Sequence, residues 1–235
     1  MRRNLPLMLL LDRGAFWQAL RSGGVGWGGV GTMAGFVVMA SAVYGAVMAG
    51  WRSPQLALFV AAKLPLLFVG STAVVALFNW MVAAVMGSGL SFRQTIALAF
   101  ASMTIAGWIL LALAPVALFL TLTSVPQTGT APQADVIYAY RLMLLTHVAV
   151  LAIAGVSGNG VLYNGLRATV RSGCPVFGLF AVWIALFAVV GCQMSWILRP
   201  FVGSPSLEIA FFRDNAFQSN FFQEVFLKLL PALLK

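Results

Sequence analysis

Five long apolar stretches, separated by short polar segments, constrain this chain more than any other feature of its sequence. A bilayer core about 30 Å thick needs about 20 apolar residues in a helix, and most of these stretches reach that length without a charged side chain. Hydrophobic residues make up 61% of the 235 residues, and charged residues only 8%. A soluble domain of this size cannot bury so much apolar surface. The sequence therefore predicts an all-α integral membrane protein.

The chain divides into three predicted segments. Residues 1–29 form an N-terminal interfacial arm with a Gly-rich hinge, residues 30–197 a five-helix transmembrane domain, and residues 198–235 a C-terminal interfacial tail. The five spans are placed roughly at 30–50, 64–87, 95–122, 136–157 and 175–197. The predicted fold is thus five transmembrane helices with an amphipathic helix at the membrane interface at each end.

Amphipathic patterns support the two interfacial helices. The apolar face of the arm is expected to contact lipid; it comprises Leu10, Phe16, Trp17 and Leu20. The apolar face of a second helix, predicted over 219–230, includes Phe221, Phe222 and Phe226. An exposed apolar face of this kind implies contact with the membrane or with a partner protein.

Two segments predict interruptions of the helices. Residues 55–63 follow a turn at Trp51–Pro54 and are interpreted as a short re-entrant segment before the second span. Gly155, Gly158 and Gly160 are expected to loosen the chain after the fourth span, because glycine weakens a helix interior.

Small residues recur along the first predicted span. They are Gly31, Gly35, Ser41 and Gly45. Small side chains at four-residue spacing let two helix backbones approach closely. The pattern predicts helix packing, either inside one protomer or between protomers.

Asn79, Arg141 and His147 are the candidates for a polar site inside the predicted spans. Asn79 is expected to hydrogen-bond a neighbouring helix. Arg141 is expected to extend to the membrane interface, or to pair with Asp135 or a lipid phosphate. His147 is interpreted as a buried hydrogen-bond partner or as a functional group. One histidine without nearby acids predicts neither a zinc site nor a proton relay.

The end of the last span carries the most distinctive polar cluster, which comprises Gln193, Trp196, Arg199 and Pro200. Trp196 and Arg199 fit the aromatic and cationic belt of a membrane interface. Two interpretations stay open: a rigid exit turn that docks the tail, and a lipid-headgroup or partner site around Arg199.

The net charge of +9 comes from cations that lie near the ends of the spans. This distribution favours contact with anionic lipid and argues against nucleic-acid binding, which needs clustered cations. The segments on the same side of the membrane as the N-terminus carry most of the arginines that precede the tail. The segment 123–135, on the opposite side, has no Lys or Arg. We therefore predict a cytoplasmic N-terminus and, after five spans, a tail on the outer side.

Two stretches resemble a group of uncharacterised bacterial multi-span proteins. They are SFRQTIALAFASMTIAGWILLALAPVALFL (91–120) and GCQMSWILRPFVGSP (191–205), the latter followed by FFRDNAFQSNFFQEVF (211–226). In that group the last span ends in Gln-Met-x-Trp-x-Leu-Arg-Pro-Phe-x-Gly-x-Pro. This resemblance implies a location in the bacterial cytoplasmic membrane. The five-span layout, with Phe92-Arg93-Gln94 opening a central span, also resembles the Yip-type domain. The Yip resemblance implies a membrane-organising or trafficking role rather than catalysis.

The sequence contains no pattern typical of catalysis, so we predict no enzyme activity, no cofactor and no metal site. The favoured hypothesis is a structural or accessory subunit of a larger membrane assembly, in contact with other membrane proteins or with copies of itself. The alternative is a homo-oligomeric ion channel or pore-forming effector. Its polar lining would come from Asn79, Ser102, Thr104, Thr146 and His147. A coupled transporter is disfavoured because the spans hold no acidic residue.

Overall fold

A computed structural model describes residues 4–124, 132–204, 208–213, 216–217 and 220–223. These described residues form eight helices and no strand. The helices are α1 (Leu5–Leu11), α2 (Arg13–Arg21), α3 (Trp27–Gly50), α4 (Pro54–Val85), α5 (Phe92–Thr123), α6 (Gln133–Thr169), α7 (Val176–Leu198) and the short α8 (Phe221–Gln223).

Helices α3 to α7 are each long and apolar enough to cross a membrane, so the predicted all-α membrane fold is confirmed. Successive spans run in opposite directions. One end of the bundle, here the arm end, therefore holds α1, α2 and the turns 86–91 and 170–175. The opposite end, here the tail end, holds the turn 51–53 and the segment after α7.

The centre of the bundle is formed by α3, α4 and α5. Helix α3 packs along both α4 and α5, α6 packs on α5, and α7 packs on α4. Helices α6 and α7 contact each other far less. The two flanking helices therefore expose more of their surface than the central three do.

Two predicted interruptions are wrong. Helix α4 begins at Pro54, where the Ser53 Oγ accepts a hydrogen bond of 3.0 Å from Leu56 N, and it continues without a break through 55–63. A Ser N-cap followed by proline is a strong helix start. Helix α6 also continues through its three glycines to Thr169. Close packing against α5 supports that stretch, because a Cβ on Gly158 would lie 2.9 Å from the Ser102 backbone oxygen.

The N-terminal arm packs against the bundle, and the prediction that Phe16 and Leu20 face lipid is wrong. Both side chains are buried in the same apolar cluster as residues of α3, α5 and α6. Two hydrogen bonds hold the arm: Trp108 Nε1 donates to Pro6 O at 3.0 Å, and Gln94 Nε2 donates to Leu20 O at 3.1 Å. Leu10 is exposed as expected.

The predicted ridge of small residues divides into two parts. Gly45 lies against α4, where an added Cβ would be 2.6 Å from the Val60 backbone oxygen. Ser41 is also buried, and its hydroxyl donates to Val37 O at 2.6 Å. Gly31 and Gly35 are exposed and have open space around an added Cβ. Only the second half of the ridge therefore packs inside the protomer.

Candidate functional site

The tail end of the bundle contains a fully buried cation, Lys63 of α4. Its Nζ donates a hydrogen bond of 3.2 Å to Pro200 O and lies 4.9 Å from the centroid of the Phe211 ring. A buried ammonium is costly unless such partners surround it. This role of Lys63 was not predicted, because residues 55–63 were interpreted as a short re-entrant segment before a span that begins at residue 64.

A second anchor holds the chain just after α7. Trp51 Nε1 donates to Val202 O at 3.0 Å, and the Trp51 ring stacks on Tyr140 with centroids 6.1 Å apart. The next residue, Gly203, has a φ of 80°. A Cβ there would also lie 2.5 Å from Leu56 Cδ2, and the positive φ itself strongly favours glycine.

The structure brings together most of the cluster predicted at the end of the last span. Gln193 Oε1 accepts a hydrogen bond of 3.1 Å from Phe221 N. The Arg199 Cζ lies 3.3 Å from the centroid of the Trp196 ring, and Trp196 contacts Phe221 edge to face at 6.4 Å. Phe222 packs on Phe221 at 5.4 Å. Phe226, predicted to belong to the same surface, lies outside the described residues.

Aromatic side chains continue from this docked segment to the surface. Phe211 packs edge to face on Phe59 of α4 at 5.4 Å, and Phe212 packs on Phe211 at 4.8 Å. Phe217 follows at 5.9 Å from Phe212 and is 76% exposed. The tail therefore presents exposed phenyl rings from a backbone that is tied to the spans.

Inside the bundle, His147 of α6 and Tyr44 of α3 are both buried and share a hydrogen bond of 2.9 Å between Nδ1 and the phenol oxygen. The His147 Nε2 has no partner among the described residues. Arg141 lies on an exposed face of α6 and does not join this pair. Asn79 is buried, but its Oδ1 has no donor in the described part of the chain, so the expected hydrogen bond at that oxygen is not made.

Removing the phenol oxygen tests the Tyr44–His147 pair. Tyr44→Phe is expected to lower the free energy of unfolding by about 0.5–1.5 kcal/mol, because it leaves a buried imidazole nitrogen unpaired. Tyr138→Phe is the matched control, since Tyr138 lies on α6 and is 70% exposed. Denaturant unfolding of both variants in detergent measures the difference. Equal losses in the two variants would contradict a stabilising role for the hydrogen bond.

The described residues include no group of three His, Cys, Asp or Glu side chains arranged to hold a metal ion. Comparison of the chain with protein-family models, with characterised proteins and with solved structures finds no significant match. The resemblances to the bacterial multi-span group and to the Yip-type domain therefore stay predictions. The fold and the clusters described above are therefore interpreted from the residues of this chain alone.

Proposed function

We propose that this chain is a non-enzymatic multi-pass membrane protein that acts as a structural or accessory subunit of a larger membrane assembly. The observation that carries the proposal is the docked tail with its exposed phenyl rings. Three anchors fix the backbone after α7, at Pro200, Val202 and Phe221. Phe212 and Phe217 are exposed on the same segment.

A fixed backbone lowers the entropy lost when a partner binds. Aromatic side chains are also enriched at protein interfaces, where they supply large contact area for few rotatable bonds. The buried Lys63 and Trp51 each hold the tail against the spans with a side-chain hydrogen bond. The arrangement therefore favours a contact surface for another membrane protein, at the level where the spans leave the bilayer.

The proposed location is the bacterial cytoplasmic membrane, with a cytoplasmic N-terminus and the tail on the outer side. The arm end supports this orientation because it gathers arginines from several segments: Arg13, Arg21, Arg93, Arg167 and Arg171. Arg21 donates to Ala168 O, and Arg93 donates to Gly23 O at 3.4 Å. The same arginines are proposed to contact anionic lipid headgroups, in line with the preference of cations for the cytoplasmic face.

The channel alternative receives less support from the geometry. Of its proposed lining residues, Asn79, Ser102, Thr104 and His147 are all buried within one protomer. A pore between protomers needs polar groups on the shared outer surface. The membrane-organising role that the Yip resemblance implies is compatible with a subunit that binds other membrane proteins.

Two phenylalanine substitutions test the proposed surface. We expect Phe212→Ser combined with Phe217→Ser to reduce a co-purifying partner about tenfold or more, because losing buried aromatic contacts at an interface costs about 2 kcal/mol or more. The readout is the stoichiometry of proteins recovered with the tagged full chain from native membranes. Phe177→Ser is the matched control, since Phe177 is 71% exposed on α7 at the arm end. Unchanged recovery in the double variant would rule out this surface.

A further inference from the structure

A cavity of about 370 Å³ lies inside the membrane domain, lined by residues of α4, α5, α6 and α7. At this place α7 packs on α4, whereas α7 and α6 make little contact with each other. Gly155 of α6 and Ala188 of α7 line the cavity, and both are exposed. Since Ala188 is near the middle of its span, the cavity opens sideways toward the bilayer between these two helices.

Two polar side chains in the cavity wall lack partners. Asn79 is 4% exposed, and its Oδ1 has no hydrogen-bond donor among the described residues. Trp183 is 1% exposed, and its Nε1 has no acceptor there. Each buried unsatisfied group costs about 1–3 kcal/mol, and the hydrocarbon core supplies no water to compensate. Both atoms have almost no accessible surface, so a ligand in the cavity reaches them only when the Asn79 amide and the Trp183 ring turn toward it.

The rest of the wall defines what fits beside them. The residues that line the cavity are mostly apolar, and none of them is charged. The hydroxyl of Thr72, another lining residue, is already used, since it donates to Phe68 O at 2.7 Å. A ligand with a charged headgroup would lose its solvation without gaining a counter-ion. A volume of 370 Å³ lies within the range of about 300–1,000 Å³ typical of small-molecule sites.

We propose that this cavity binds a neutral lipid alcohol: an apolar chain that carries a hydroxyl group and enters from the bilayer between α6 and α7. A hydroxyl donates one hydrogen bond and accepts others, so it supplies the partners that Asn79 Oδ1 and Trp183 Nε1 lack once these two side chains turn toward the cavity. The chain of the ligand fills the apolar part of the cavity. Both straight-chain and isoprenoid alcohols have this chemistry. The inference rests on the interior of the bundle and is independent of the proposed tail surface.

Photolabelling tests the site with a defined probe, hexadecanol carrying a diazirine on its chain, added to the full-length protein in detergent. Labels are expected on peptides that line the cavity, including those with Met103 and Phe187. Gly155→Leu is expected to lower labelling about tenfold or more by filling the opening. Gly160→Leu is the matched control, because both glycines have open space around an added Cβ but Gly160 does not line the cavity.

Further variants separate binding from misfolding. Ala188→Leu narrows the same opening from α7, so loss of labelling in both variants, with unchanged thermal unfolding, supports the site. Asn79→Leu is expected to reduce labelling by the alcohol to the level given by the corresponding diazirine alkane. Competition by unlabelled hexadecanol or by an isoprenoid alcohol identifies the source of the chain. Equal labelling of the Gly155→Leu and Gly160→Leu proteins, or of the alcohol and alkane probes on wild type, would overturn the proposal.

Discussion

Replacing Gly45 with leucine is expected to destabilise the bundle by about 3 kcal/mol or more, the largest effect of any single substitution we predict. An added Cβ would lie 2.6 Å from the backbone oxygen of Val60 and 3.0 Å from its carbonyl carbon. Neither atom can move away without shifting α4. The two helices must therefore separate, and the buried side chains beside them, Tyr44 and Met48, lose their packing.

Gly35→Leu is the control for this prediction. Gly35 lies on the same helix, is exposed, and has nothing within 4 Å of an added Cβ. Its substitution is expected to change the free energy of unfolding by no more than about 0.5 kcal/mol. Denaturant unfolding in micelles, with size-exclusion chromatography to monitor aggregation, measures both variants. A similar loss in the two proteins would show that the close contact between α3 and α4 does not determine the stability of the fold.

Lys63→Met is expected to release the tail while the bundle stays folded. Methionine keeps much of the side-chain volume and removes a buried charge, so the apolar surroundings tolerate it. The hydrogen bond to Pro200 O and the cation above the Phe211 ring are lost. Together these interactions contribute about 1.5–3 kcal/mol, so the undocked population should rise about tenfold or more.

Limited proteolysis reads out this release, because cleavage follows the population of the open state when opening is fast. Trypsin cleavage after Arg213 is expected to accelerate about tenfold in Lys63→Met. Arg141→Met removes a cation from an exposed position of α6 and should leave the rate unchanged. An unaltered rate in Lys63→Met would show that the buried ammonium does not hold the tail.

The parts of the structure that could be predicted depend on local sequence. Length and hydropathy locate the five spans, since a bilayer requires each crossing to be long and apolar. The cluster of Gln193, Trp196 and Arg199 could also be recognised, because residues three apart share one face of a helix. The structure adds Phe221 at the same place.

The remaining contacts join residues far apart in the chain. The Tyr44–His147 pair is separated by 103 residues and the Lys63–Pro200 pair by 137. Such contacts depend on how each helix is rotated about its axis, which hydropathy does not determine. The prediction that the arm faces lipid is wrong for a related reason, because a lipid tail is as apolar as leucine. An apolar face such as that of Phe16 and Leu20 therefore does not distinguish lipid from protein.

The most direct test of the proposed subunit role is the mass and protein composition of the particle formed by the unmodified full chain. It should be extracted from native membranes in mild detergent and measured by native mass spectrometry. The account predicts one assembly in which a second membrane protein is present in fixed stoichiometry. A particle containing only copies of this chain would contradict the subunit role. If those copies form a closed homo-oligomer, the channel hypothesis is favoured, and conductance is the next measurement.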